Sequence, residues 1–146
     1  PRKLLDISKI IRVEMEHLPV KEGVEYRLEL AAPEIVFPLH RSYVSLLVRE
    51  LLKNAVKFTE QGSVTVACGL TGPGTLTLSV TDTGCGVEPG LAERVFDRFY
   101  KVDPFAQGLG LGLSLCRLIA EKLGGTIGLD TTYTGGARFV VTLRDT

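Results

Sequence analysis

Apolar residues recur in this chain with two rhythms, and the changes between them outline its elements. Leu4, Ile7, Ile10, Ile11 and Met15 keep helical spacing and predict a short helix over Leu4–Glu16. Val24–Leu30 alternates, as a half-buried strand does, and Ile35–Phe37 predicts a second short strand. Between Arg41 and Phe58 the apolar positions Tyr43, Leu47, Leu51, Ala55 and Phe58 return to the helical period, and Gly62 lies beyond the helix end. Two alternating runs, Ser63–Cys68 and Thr75–Val80, flank Gly72-Pro73-Gly74 and predict a hairpin. Leu91–Arg98 predicts a short helical segment, and 101–107 an irregular one. Leu113–Leu123 predicts a helix with Leu115, Leu118, Ile119 and Leu123 inward, stopped by Gly124-Gly125. Thr126–Asp130 and Arg138–Leu143 read as a closing pair of strands. The expected fold is α+β, a two-layer sandwich with a mixed, mostly antiparallel sheet and helices on one face.

Composition narrows this picture. At 146 residues, 45% hydrophobic, the chain is long enough for a core and reads as one globular domain over 1–146. Its formal net charge is +0 with no basic run, which argues against nucleic acid as a partner and against a membrane-surface contact. No apolar stretch reaches about 18 residues, so no spanning helix is expected. Cys68, Cys85 and Cys116 are far apart and lack a C-x-x-C pair, arguing against a zinc site or disulfide framework and for a reducing, cytoplasmic setting. The chain starts at Pro1 rather than Met, which reads as a piece of a longer protein. The 16 glycines cluster, and clustered glycine signals sharp turns or close approach of the backbone to a partner.

Three stretches carry the chemistry. Glu50, Asn54 and Lys57 sit at i, i+4 and i+7 and share one helical stripe beside the apolar one. On residues alone this fits either a solvated face or Mg-nucleotide chemistry: an amide oxygen for Mg²⁺, a point charge for phosphate, and a carboxylate for a metal-bound water or nucleophile. Asp82-Thr83-Gly84-Cys85-Gly86 ends a clean strand. It fits ordinary turn chemistry, or an acid that accepts a hydrogen bond from an exocyclic amine while the glycines let a flat base approach. Gly108-Leu109-Gly110-Leu111-Gly112-Leu113 opens a helix, where free N–H groups suit phosphate. It is neither a dinucleotide fingerprint nor a P-loop, since no strand precedes it and no Gly-Lys-Ser/Thr follows.

In this order and spacing the stretches resemble the Bergerat (GHKL) ATP-binding fold, and most closely the catalytic domain of sensor histidine kinases, including those of hybrid two-component sensors. Glu50–Thr59 is similar to the N box, Asp82–Val87 to the G1 box, Arg94–Tyr100 to the F box and Gly108–Leu113 to the G2 box. Gly124–Ile127 and Gly135–Phe139 are similar to the closing segments. The likeness extends from about Gly23 to Leu143. It implies ATP and Mg²⁺ as cofactors. Asn54 would ligate Mg²⁺, with Glu50 as a further possible ligand, and Lys57 would contact phosphate. These three would be the catalytic set. Asp82 would read adenine N6, with Gly84, Gly86 and Val87 against the base. Phe99 would support a lid whose root holds Tyr100 and Lys101. Gly108, Leu109, Gly110, Leu111, Gly112 and Leu113 would close it over the phosphates.

The chain departs from the pattern at Glu50, where many kinases have Asn, at Leu109, where Thr is commoner, and at Ala137, where a Thr hydroxyl is usual. The lid also lacks an Arg between Tyr100 and Gly108. Neither His17 nor His40 has the Ser/Thr-His-Glu/Asp context of an acceptor. The resemblance therefore implies an acceptor histidine on an upstream dimerisation module, with 1–22 as the linker, and a response-regulator receiver domain as indirect partner. The expected reaction is transfer of the γ-phosphoryl group to that histidine, in the cytoplasm, in a parent protein that is membrane-anchored or not. Two other outcomes stay open: a degenerate, non-catalytic nucleotide-binding or interaction module, and an ATPase in which Glu50 activates water.

Overall fold

Five strands form one mixed sheet in the order β2-β4-β5-β7-β6: β2 (Val24–Leu30), β4 (Gly62–Gly72), β5 (Thr75–Asp82), β6 (Thr126–Leu129) and β7 (Ala137–Arg144). The computed structural model describes residues 2–100 and 112–145. β2 runs parallel to β4, and every other pairing in the sheet is antiparallel. The helices α1 (Ile7–Glu16), α2 (Arg41–Phe58) and α3 (Gly112–Lys122) cover one face. The α+β sandwich expected from the hydrophobic rhythm is the one observed.

Each layer follows from its side-chain period. β5 and β7 alternate without a break, so Leu76, Leu78 and Val80 on one strand, and Phe139, Val141 and Leu143 on the other, all point into the core. The opposite face of these strands carries Thr77, Ser79, Thr81, Val140 and Thr142 and stays half exposed. On α2 the buried stripe is Val44, Leu47, Val48, Leu51, Leu52 and Ala55, with Leu47 and Leu52 fully buried. Each such leucine contributes about 2 kcal/mol of hydrophobic stabilisation. Thr59 closes the helix: its hydroxyl donates to the Ala55 carbonyl at 2.7 Å. Tyr43, read as part of the stripe, lies one position off it and is exposed.

The N-terminal stretch differs from expectation. Residues 1–22 were expected as a linker, with one helix over Leu4–Glu16. Instead Lys3–Asp6 is a strand, β1, paired antiparallel with β3 (Val36–Leu39), and only Ile7–Glu16 is helical. Asp6 makes the change of direction: its side chain accepts from the Ser8 amide at 3.1 Å and so caps α1. Leu5, Ile7, Ile10 and Ile11 are buried, and Arg49 of α2 pairs with the buried Glu14 at 2.9 Å. This stretch is thus part of the folded core.

Two smaller differences have local causes. Leu91–Arg98, expected as one helical segment, is instead broken: one single-turn 3-10 helix, Pro89–Leu91, ends where it begins, and a second, Arg94–Phe96, lies within it. The second buries Val95 and Phe96, the latter edge-on to Phe139 at 5.8 Å. In α3 the buried stripe is Cys116, Ile119 and Ala120, continued by Leu123. Leu118, expected inward, falls on the flank and is 51% exposed.

Candidate nucleotide site

The alternation of β5 continues past its aliphatic residues, and it delivers Asp82 to the core-facing side where another Leu or Val would otherwise pack. Asp82 is 2% exposed. Its Oδ1 accepts from the Gly84 amide at 2.9 Å and from the Ala137 amide at 3.2 Å. The first bond is an Asx-type turn, so the plain turn reading is correct as local geometry. The second ties the turn to β7, opposite Asp82 in the ladder. Burial pushes the Asp82 carboxyl above its ordinary range; the two amide bonds oppose this without cancelling it.

Beside this carboxyl lies an open hollow of about 340 Å³. Asn54 and Phe58 of α2 form one wall, and Leu113 in the first turn of α3 faces the same space. Cys85, Gly86 and Val87 follow Asp82 along one edge, while Val95, Ala137 and Phe139 complete the lining. The walls are therefore mostly apolar, with an amide and a carboxyl as the polar side chains. Few polar groups in an apolar cleft suit a flat heterocyclic ligand.

Of the residues singled out from sequence, the structure brings Asn54, Asp82, Gly86, Val87 and Leu113 to this hollow. Gly84 is next to it for another reason. A methyl group there would collide with the Phe58 carbonyl oxygen, so the glycine lets the turn pack on the end of α2. Glu50 does not line the hollow. It lies toward α3, with Oε1 3.5 Å from where a Cβ would sit on Gly112 and Oε2 3.5 Å from Lys53 Nζ. Its charge and deep burial together push the Cys116 thiol up to about 12, burial being the larger cause. Lys57 is exposed, with its Nζ 5.5 Å from the centre of the Phe58 ring.

Phe99 is 61% exposed in a left-handed conformation (φ 66°), with Arg98 5.4 Å from its ring. Tyr100 is half-buried under Arg94. Gly112 is the first residue of α3. Lys101, Gly108, Leu109, Gly110 and Leu111 lie outside the described residues. Phe58, Val95 and Phe139 had not been assigned to the site from sequence. Phe139 could have been found from the β5–β7 register, as the inward position opposite Val80, whereas Ala137, opposite Asp82, already stood out as the place of the missing Thr hydroxyl.

Among the described residues, no group of three or more His, Cys, Asp or Glu could hold a metal ion. Those residues therefore build no protein-only metal cage. A lone amide oxygen on the wall, from Asn54, fits a cation that takes most of its ligands from phosphate and water.

Comparison with known proteins agrees with this geometry. The family model described as Histidine kinase-, DNA gyrase B-, and HSP90-like ATPase matches residues 40–146. The chain is 37% identical over 121 residues to Sensor protein IrlS of Burkholderia pseudomallei, covering 80% of this chain and 24% of that protein. The chain spans about a quarter or less of the length of the curated relatives it matches. Among solved structures, the mycobacterial sensor histidine kinase MprB superposes with a TM-score of 0.88 at 24% identity, covering 99% of this chain and 97% of that one. Full-length ShkA in complex with AMPPNP superposes with a TM-score of 0.87 at 28% identity, covering 97% of this chain and 30% of that one.

Proposed function

We propose, because this chain belongs to the histidine kinase-, DNA gyrase B-, and HSP90-like ATPase family, that it is the ATP-binding catalytic domain of a sensor histidine kinase. The observation that carries this is the buried Asp82 carboxyl, locked by two backbone amides at the edge of an apolar hollow that Asn54 also lines. A purine ring enters between Val87, Leu113 and Phe139, and its exocyclic amine donates to the Asp82 carboxyl. Gly86, at φ 74°, keeps the loop backbone against the ring edge. Hydrogen bonding at a desolvated carboxyl discriminates strongly against a base that presents an acceptor instead, because two acceptors would then face each other.

The phosphates would leave the hollow past Asn54, whose amide oxygen would hold Mg²⁺. When bound, Mg²⁺ neutralises charge on the β- and γ-phosphates. Lys57 adds a point charge at the outer end of the same stripe. Gly112, and the Gly108–Leu111 segment before it, supply backbone N–H groups to the phosphate chain. In the reaction the bond between the γ-phosphorus and the β-bridging oxygen breaks, leaving ADP, and a P–N bond forms to an imidazole nitrogen. This domain contributes positioning and charge neutralisation, which supply most of the rate in phosphoryl transfer. The acceptor histidine belongs to a dimerisation module elsewhere in the parent protein, and a response-regulator receiver domain takes the phosphoryl group onward. The domain works in the cytoplasm.

Calorimetric titration with a non-hydrolysable ATP analogue, with and without Mg²⁺, tests this reading. Wild type should bind, with affinity strengthened by Mg²⁺. Asp82→Asn should bind weakly, and Asn54→Ala should lose the Mg²⁺ response. With ATP, the chain alone should not label its own His17 or His40. Absence of binding by wild type would leave a non-catalytic module, and strong histidine self-labelling would overturn the need for an external acceptor.

A further inference from the structure

Asp82 is held at its carboxyl by two amides, and its main chain is held separately by a residue remote in sequence. Tyr133, in the loop between β6 and β7, donates its phenol hydroxyl to the Asp82 carbonyl oxygen at 3.1 Å. That ring does not stand alone. The Arg138 guanidinium lies 4.4 Å from its centre, and the Arg138 Nε donates to the Thr81 hydroxyl at 2.9 Å, one residue before Asp82. Asp130 fixes the other side: its Oδ2 is 3.6 Å from Arg138 Nη1, and its Oδ1 accepts from the Thr132 amide at 3.0 Å and hydroxyl at 2.6 Å. The backbone closes the loop, with the Asp130 amide donating to the Arg138 carbonyl at 2.8 Å. Gly136 completes the contact, since a side chain there would collide with the same Asp82 carbonyl.

We propose that Tyr133, braced by Arg138 and Asp130, is a positioning residue that fixes the Asp82 carboxyl and so sets the preference of the site for a 6-amino purine. The inference rests on the nucleotide reading of the hollow. The physical ground is leverage. Asp82 sits at the last pair of the β5–β7 ladder, with Ala137 opposite, where strand ends fray first. The amide of the next residue, Thr83, donates to the Ser63 carbonyl at 3.1 Å, so a hydroxyl on the Asp82 carbonyl holds the other end of the same peptide and opposes the rotation that would re-aim the side chain. The brace lies outside the hollow, as neither Tyr133 nor Arg138 lines it, so it acts through Asp82 rather than on the ligand. A hydrogen bond to a recognition group need shift by only a few tenths of an ångström to lose most of its selectivity.

Tyr133→Phe in the 146-residue chain is the direct test, because it keeps the ring under Arg138 and removes only the hydroxyl. Affinity is measured calorimetrically for a non-hydrolysable ATP analogue and for its 6-oxo inosine counterpart. The brace predicts that the amino analogue weakens by about fivefold while the oxo analogue changes by less than about twofold, the size expected for one net hydrogen bond. In an Asp82→Asn background Tyr133→Phe should have no further effect on the ratio. Equal weakening of both analogues, or an unchanged ratio, would overturn the brace. Arg138→Gln, which frees the ring but keeps the hydroxyl, should move the ratio in the same direction, and a ratio unmoved in both variants would also overturn it. The nucleotide reading fails separately, if wild type binds neither analogue or if Asp82→Asn leaves binding intact.

Discussion

The two ends of the candidate site are built on opposite plans. At the Asp82 end the framework is tied down before any ligand arrives: one carboxyl oxygen holds two amides, the carbonyl holds Tyr133, and Gly84 and Gly136 seal the backbone against Phe58 and Asp82. At the other end, Asn54 is half-buried, Lys57 is exposed, and Gly112 begins the last helix. One end is a preformed template; the other is a set of reaching groups on an exposed rim. The difference suits a ligand whose base is recognised by shape and whose phosphates must leave after transfer. Preorganisation concentrates selectivity where the backbone is locked, and it leaves charge neutralisation to groups that cost little to release.

Breaking the template should have the largest effect. Gly84→Ala forces a methyl group into the Phe58 carbonyl, and backbone must move to admit it. We expect a loss of about 3 kcal/mol of stability, a melting temperature lower by roughly 10 °C, and weaker nucleotide binding because the Asp82 turn moves with it. Thermal denaturation of the purified variant checks the first, and titration of the folded fraction the second. An alanine tolerated without a shift would mean that α2 and the turn are not in the contact described.

Asp82→Asn is next and separates template from charge. Asparagine keeps an oxygen for the Gly84 and Ala137 amides, so the fold should survive while affinity for an ATP analogue falls about 10- to 100-fold. Its effect on stability should depend on pH in a definite sense. Burial raises the Asp82 pKa in the folded state above its ordinary value of 3.8, so the folded state holds this proton more tightly than the unfolded one. The stability that proton contributes is complete below 3.8. It is lost as pH climbs from there through the folded-state pKa, because the unfolded chain ionises first. Asp82→Asn removes that loss. The melting temperature of the variant minus that of wild type should therefore become more positive across that window and level off above it. A difference that is flat with pH would show that the carboxyl is not desolvated.

The template was legible in sequence only in part, and the reason is the range of its contacts. Asp82 itself was readable, since β5 alternates up to it and the Asx turn to Gly84 is local. The fold class was readable for the same reason, because alternation and helical spacing are properties of short windows. What escaped was everything set by register. Phe139 enters the site only because β7 pairs with β5, and Tyr133 reaches Asp82 across a separation of 51 residues. β1 escaped because Leu4 extends the helical spacing of Ile7 and Ile10 while pointing outward; the true boundary is the Asp6 cap. At Gly84 the sequence pointed to the ligand, and the contact with the end of α2 is a further requirement that no short window shows.

Changes at the rim should be milder. Asn54→Ala should leave metal-free binding of an ATP analogue nearly unchanged and weaken Mg²⁺-supported binding by about tenfold, near the worth of one lost ligand to a hard cation that keeps most of its waters. Titrations at fixed ionic strength with Mg²⁺ and with chelator separate the two. Equal loss in both would move Asn54 from the metal to the base.

The smallest effect is expected at Glu50, and it sharpens the comparison most finely because three roles predict three results. A water-activating base would lose hydrolysis altogether in Glu50→Gln, and a metal ligand would lose Mg²⁺ affinity. The geometry adds a third role: Glu50 lies outside the hollow, beside the first residue of α3 and near Lys53. A carboxylate at a helix start is stabilising by roughly 0.3–1 kcal/mol through the partial positive charge there. Glu50→Gln should accordingly lower the melting temperature by about 2 °C and leave both nucleotide affinity and its Mg²⁺ dependence within about twofold. That result would make Glu50 the residue that joins the two plans, anchoring the helix that begins at the phosphate rim to α2, whose end supports the template. Loss of Mg²⁺ dependence instead would bring Glu50 into the rim chemistry, and the division drawn between the two ends would have to move by one turn of α2.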